Sequence, residues 1–278
     1  MTRLRLSLLF STLALFGLAQ GTAVFIASQA PVFVTTDPFL FWETESAQTV
    51  FFQFLILFFT ATAALLILLH LYKGRALYRF LFLFVVFLGL MKLFLLVFPP
   101  ELSLLVSALF LCALFLLPAV WVHNMVVIAA AVGIGPIFGL QFHFLFAALL
   151  LLALSVYDII AVYITKHMIL LAHELIRRQA SFALFVPDTV KKYFAQIRDV
   201  QPGSGFLIVG GGDIVLPMIF SASLVRASLP AAIASVAGML VGITLNHLLI
   251  VSRHHPIPAL PLITIGALGG AFAALGIY

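Results

Sequence analysis

Two aspartates stand where a chain this apolar has almost no other acids. Asp158 lies in "LLALSVYDII" and Asp213 in "GGGDIVLP", both inside runs that otherwise read as membrane-buried. A charged carboxylate near the middle of a bilayer costs about 2.5–3.5 kcal/mol on insertion scales, so its presence there points to function. Two carboxylates held close in a low dielectric cannot both ionise and share one proton. The ionised member can then take a proton from water while the protonated member donates one to a carbonyl oxygen. That is general acid–base hydrolysis, with no covalent intermediate, cofactor or metal in it.

For this chemistry the two groups must meet, and composition fixes the kind of element that carries them. Of the 278 residues, 64% are hydrophobic and 8% charged, far from the roughly one quarter charged of a soluble domain. Apolar runs near 20 residues recur from end to end, each enough to cross a hydrocarbon core of about 30 Å. The ten-residue alternation of a membrane β-barrel is missing. The expected fold is an all-α polytopic membrane protein of nine spans, at 5–27, 49–71, 76–98, 102–119, 121–139, 142–166, 206–225, 229–250 and 258–277. The first run resembles a signal peptide but is longer than the usual 7–15-residue apolar region, and is read as a membrane helix. One domain, 1–278, is expected: spans one to six in 1–165, a cytoplasmic loop in 166–205, and spans seven to nine in 206–278.

Lysines and arginines orient these spans. With the N-terminus cytoplasmic and the C-terminus outside, twelve of the 14 basic residues fall at inner ends, and only Lys92 and Arg226 fall outward. The +5 net charge flanks apolar runs and builds no aromatic-interleaved patch, which argues against nucleic acid. A lone cysteine, Cys112, excludes an internal disulfide framework.

In that arrangement Asp158 lies eight residues before Lys166, about 12 Å along a helix from the inner end. A seventh span beginning at Phe206 puts Asp213 seven residues in, about 10 Å deep. The spans are consecutive and antiparallel, so both aspartates lie toward the same side of the bilayer at nearly one level. Gly210, Gly211 and Gly212 strip the side chains just before Asp213, and Pro217 one turn later frees local backbone. Within the loop, "HMILLAHELIRRQASF" is amphipathic and reads as an interfacial helix, with His173, Glu174, Arg177, Arg178 and Ser181 on its polar stripe. "VPDTVKKYFAQIRDVQPGSG" reads as a solvated linker, or else as a gate over the space between spans six and seven. Asn246 and His247 are expected to bond a neighbouring helix, and Gly266, Gly269 and Gly270 to pack against one.

Three motifs carry a resemblance. Tyr157-Asp158 is similar to the YD motif of the presenilin/signal peptide peptidase family, Gly210-Gly211-Gly212-Asp213 to its GxGD motif, and Pro258-Ala259-Leu260 to its PAL motif. Each is weak alone; all three, in family order and on spans six, seven and nine, are specific. The resemblance covers the whole chain and implies a GxGD-type intramembrane aspartyl protease. It implies Asp158 and Asp213 as the acid–base pair, with Tyr157, Gly210, Gly212, Pro258, Ala259 and Leu260 shaping or supporting the site. The partners it implies are transmembrane-helix substrates in a bilayer, with a second copy of the chain also possible, and the location a multi-pass protein of the cell membrane. The loop of about 40 residues has no clear counterpart of the longer presenilin loop that is cleaved by its own enzyme. Two readings compete. A proton- or ion-coupled transporter or channel would use the same aspartates, yet would show matching broken helices in two halves, and "VGIGPIFG" has no counterpart. A prepilin-peptidase-like protease leaves the PAL motif and the ninth span unexplained.

Overall fold

The computed structural model describes residues 2–29, 47–72, 74–165, 181–201, 205–253 and 257–276. Among them run nine α-helices: α1 (Thr2–Gln29), α2 (Ala47–Leu71), α3 (Arg75–Phe94), α4 (Pro100–Leu116), α5 (Val120–Gln141), α6 (Phe144–Ile159), α7 (Gly211–Val225), α8 (Leu229–Arg253) and α9 (Leu260–Leu275). Five of them contain segments long and apolar enough to cross a membrane: Leu6–Gln29, Ala76–Phe94, Val120–Gln141, Phe144–Ile164 (which continues past the end of α6) and Leu229–Ile250. Three more, α4, α7 and α9, are apolar but shorter. Each helix falls on one of the nine apolar runs, with ends shifted by up to several residues.

Helix α7 is the keystone of the packing. Its Ile214 and Met218 join a core made with α1, α3 and α5, around Ala19, Val86, Leu90, Val127 and Ala131. Its Phe220 and Leu224 join a second core made with α6, α8 and α9, around Leu151, Leu154, Met239 and Ile263. Side chains on both flanks of one short helix are therefore buried, as a helix surrounded by others requires. Helices α8 and α9 approach backbone to backbone. A Cβ on Gly238 would strike the Gly266 carbonyl, and one on Gly266 would strike that of Gly238. Gly270 similarly abuts Ala234, whereas Gly269 is exposed, and among the described residues a Cβ there would meet no neighbouring element within 4 Å. The expected packing role thus holds for Gly266 and Gly270 and fails for Gly269, which points away from α8.

The connection between α6 and α7 departs most from expectation. The interfacial helix expected over 167–182 lies mostly outside the described residues. Beyond it, Ala183–Pro187 is a fully buried strand, β1, paired antiparallel with β2 (Phe206–Gly210). Two 3-10 turns, Val190–Phe194 and Ile197–Asp199, lie between the strands. The expected solvated linker is therefore a packed layer at its start. Its burial follows from period two: Leu184 and Val186 enter the α1–α3–α5 core, while Ala183 and Phe185 pack with Val120 and Val200 on the other face. Phe206–Val209, expected as the first turn of a seventh span, is extended instead. Phe, Ile and Val suit a strand, a partner strand is at hand, and the following glycines are poor helix interiors. Gly205, at φ +87, turns the chain into β2, and the Asp188 N–H donates to its carbonyl at 2.9 Å. A side chain there would strike Lys192 and Asp188, so only glycine fits.

Candidate active site

Asp158 sits one residue from the end of α6 and is 5% exposed. Beyond it the helix loosens into a π-helical turn, Ile160–Ile164, a local irregularity that is frequent at functional sites. Its carboxylate accepts a backbone hydrogen bond from Leu260, while Oδ2 has no hydrogen-bond partner among the described residues. A buried oxygen without a partner is costly, and such a group calls for a role. Tyr157, half-buried, sets its ring edge-on to Phe59 of α2 at 5.5 Å.

Asp213 is the third residue of α7, in its first turn, and is half-buried. It does not lie seven residues inside a helix: β2 takes up Phe206–Gly210, and the helix begins only at Gly211. Residue Gly210, extended at φ −62, caps the helix and hydrogen-bonds to the Asp213 carboxylate. A Cβ on Gly210 would sit 3.3 Å from Asp213 Oδ2, closer than carbon and oxygen ordinarily pack. The three glycines are not equivalent. Gly211 is buried, and a Cβ there would strike both the ring and the carbonyl of Phe182. Gly212 is exposed, with only Leu216 Cδ1 at 4.0 Å from such an atom.

Helices α6, α7 and α9 pack on one another, and the two carboxylates lie close enough for their charges to interact. Among the described residues neither aspartate is paired with a basic side chain. Pro258 is buried, Ala259 half-buried, and Leu260, 3% exposed, opens α9 with its N–H on Asp158. The structure thus brings the three sequence motifs to one place. Two carboxyl groups, one with a free oxygen, beside open space at Gly212 can hold a water and pass protons to and from a carbonyl.

Two supporting residues escaped the sequence reading. Gln20, in the middle of α1 and fully buried, donates from Nε2 to the Ile214 carbonyl at 2.9 Å, one residue past Asp213. Asn124, in the first turns of α5, acts as a surrogate strand. Its Nδ2 donates to the Phe185 carbonyl at 2.8 Å, and its Oδ1 accepts the Phe185 N–H at 2.9 Å. Beside it His123 Nε2 meets the Ala183 carbonyl at 3.1 Å. The signal in the sequence was a polar residue inside an apolar run, which says that a partner exists but not which one. Asn246 and His247 are both buried in α8, yet Asn246 Oδ1 has no hydrogen-bond partner among the described residues, so the expected helix-to-helix bond is not made there by that atom.

The fold and this cluster define a helical membrane protein with a paired-carboxylate site. A profile for "Signal-peptide peptidase, presenilin aspartyl protease" matches residues 15–277. Two crystal structures of a presenilin family intramembrane aspartate protease share the fold. One, in space group C222, is 22% identical over 97% of this chain and 99% of that chain, with a TM-score of 0.67. The other, in space group P2, is 24% identical over 99% and 97%, with a TM-score of 0.63. No curated protein sequence matches. The chain belongs to the signal peptide peptidase and presenilin aspartyl protease family. It is an intramembrane aspartyl protease, a multi-pass membrane hydrolase acting on transmembrane substrates in the bilayer.

Proposed function

We propose that Asp158 and Asp213 are the catalytic pair. The ionised carboxylate takes a proton from water as the water oxygen attacks the scissile carbonyl carbon, and the protonated one gives its proton to the carbonyl oxygen. The gem-diol then collapses: the C–N bond breaks, the nitrogen takes a proton from the carboxyl that received it, and the other carboxylate recovers one from a diol hydroxyl. The products are a carboxylic acid and an amine, and the pair ends ready for the next turnover. The observation that carries this reading is the meeting of both aspartates with Leu260 on three different helices.

The supporting roles follow from position. Leu260 holds Asp158 through its N–H, with Pro258 and Ala259 fixing the entry to α9. Gly210 lies against the Asp213 carboxylate, Gly212 leaves room for substrate backbone, and Tyr157 orients the end of α6 against α2. A substrate helix must unwind before its carbonyls can react, because intact helical backbone is already satisfied. An edge that could receive it lies in β2. Phe185 opposes Ile208, and Asn124 takes both backbone groups of Phe185 from the far side, so this is a non-hydrogen-bonded pair. The Ile208 N–H and C=O therefore face the outer edge, five residues from Asp213. An extended substrate segment pairing there would be led to the carboxylates.

The proposal includes nine spans with the N-terminus cytoplasmic, residence in the cell membrane, and water reaching the pair from the cytoplasmic side. The basic residues flanking the apolar runs support this orientation. The test is cleavage of a labelled single-span substrate in liposomes by the wild type, Asp158→Asn and Asp213→Asn. Loss of cleavage in each variant, with melting unchanged, is the expected result. Cleavage persisting in both, or an aspartate-dependent ion flux without cleavage, would turn the reading toward a transporter.

A further inference from the structure

Away from the aspartates, a cavity of about 210 Å³ opens between α3, the end of α4, the start of α5 and the β layer. None of the residues assigned to catalysis lines it. Arg79, Arg198, Gln196 and Ser181 form its polar wall, and Phe82, Leu83 and Phe115 its apolar one. Arg79 lies over the Phe115 ring at 4.9 Å and has no carboxylate partner among the described residues. Among the described residues Arg198 forms an ion pair with the adjacent Asp199, Nε to Oδ1 at 3.8 Å, with side chains 69% and 63% exposed; an ion pair so open to solvent neutralises little. Two guanidinium groups thus face one small space with their forks available, the geometry that suits phosphate oxygens.

The surroundings specify what carries that phosphate. Phe80, Phe115, Leu116 and Leu117 are 62%, 51%, 78% and 54% exposed, an apolar rim on helices that a bilayer surrounds. Arg79 lies only one turn from the start of α3, so the cavity sits where such a rim meets the polar layer. Its volume is below the roughly 300–1,000 Å³ of pockets for drug-sized molecules, which suits a headgroup with its chains left outside. We propose that this cavity binds the anionic phosphate headgroup of a phospholipid, with the acyl chains lying against Phe115 and Leu116. Basic pockets between membrane helices take such headgroups. The site also touches the catalytic layer. His123, on its wall, stacks between Phe82 at 5.9 Å and Phe185 of β1 at 4.9 Å. A bound headgroup therefore braces the strand whose partner leads into Asp213.

The test is native mass spectrometry of the full chain in detergent with equal amounts of phosphatidylglycerol and phosphatidylcholine. The expected result is several-fold preferential retention of phosphatidylglycerol, lost in the Arg79→Gln/Arg198→Gln double variant and partly kept in Arg79→Lys/Arg198→Lys. Lipid-free melting temperatures of the variants confirm that they fold. Equal retention of both lipids, or retention unchanged by the glutamines, overturns the site. Displacement of phosphatidylglycerol by inorganic phosphate or glycerophosphate at matching concentration overturns the lipid in favour of the free anion. Displacement by a soluble acidic peptide overturns it in favour of a polypeptide. Binding read in Asp158→Asn and Asp213→Asn as well separates this outcome from any failure of the catalytic assignment.

Discussion

The two aspartates are held in opposite ways. Asp158 ends a helix that is embedded in a large apolar core, beside a π-turn, and takes its one backbone hydrogen bond from a distant segment, Leu260. Asp213 opens a helix and is fixed by its own neighbours: Gly210 against its carboxylate, Gly211 wedged under Phe182, and the β layer pinned by Asn124. One carboxylate is set by helix packing and the other by loop chemistry. Perturbing the packing around α9 should therefore act on Asp158, and perturbing the β layer on Asp213.

The largest effect expected on the Asp213 side comes from Gly211→Ala. Its new methyl meets the backbone carbonyl of Phe182 as well as the ring, so β1 or the start of α7 must move. Cleavage should fall by at least about 10²-fold, the cost of misplacing reacting groups by roughly an ångström. Phe182→Ala added to it should rescue only partly, because the carbonyl remains. Gly212→Ala sharpens the contrast: its methyl meets open space, so the melting temperature should hold and any loss should be read in KM. A melting loss in Gly212→Ala equal to that of Gly211→Ala would erase the distinction between the two glycines.

Next comes Asn124→Ala, which orphans both backbone groups of Phe185. Buried groups left without partners cost about 1–3 kcal/mol each, so the thermal midpoint should drop measurably and cleavage with it. An unchanged midpoint would mean that β1 is not held by this clamp. Gln20→Leu should be milder. It removes the bond to the Ile214 carbonyl but also removes a buried Oε1 that has no partner among the described residues, so stability should change by no more than about 1 kcal/mol. Activity should fall more than stability does, since the bond lies one residue past Asp213. Tyr157→Phe should be the smallest, keeping the ring against Phe59 and lowering kcat less than about tenfold, the worth of one ordinary hydrogen bond.

What the sequence revealed and what it hid follow the same division. Asp158, Asp213 and the PAL tripeptide were legible because acids are rare in apolar runs and the motifs fall in order on three spans. Helices α8 and α9 were legible because 229–250 and 260–275 are apolar and carry no acidic residue, lysine or arginine. The β layer was not. "FLIV" before three glycines is a short apolar run, and periodicity cannot tell a short buried strand from a turn of buried helix. The partner strand "ALFVP" is only five residues long and is identified by its pairing alone. That missed pairing moved Asp213 from the interior of a helix to its first turn. Gln20 and Asn124 stayed hidden because their partners are backbone groups 194 and 61 residues away, which no local pattern encodes.

The most direct test of the paired-carboxylate account is the pH dependence of kcat/KM for a single-span substrate in liposomes. One proton shared by two carboxyl groups is the active state. At low pH both are protonated and no base remains, and at high pH both are ionised and no acid remains. The account predicts a bell with its maximum at mildly acidic to neutral pH, lost in Asp158→Asn and Asp213→Asn. A profile flat from about pH 4 to about pH 9 would contradict it.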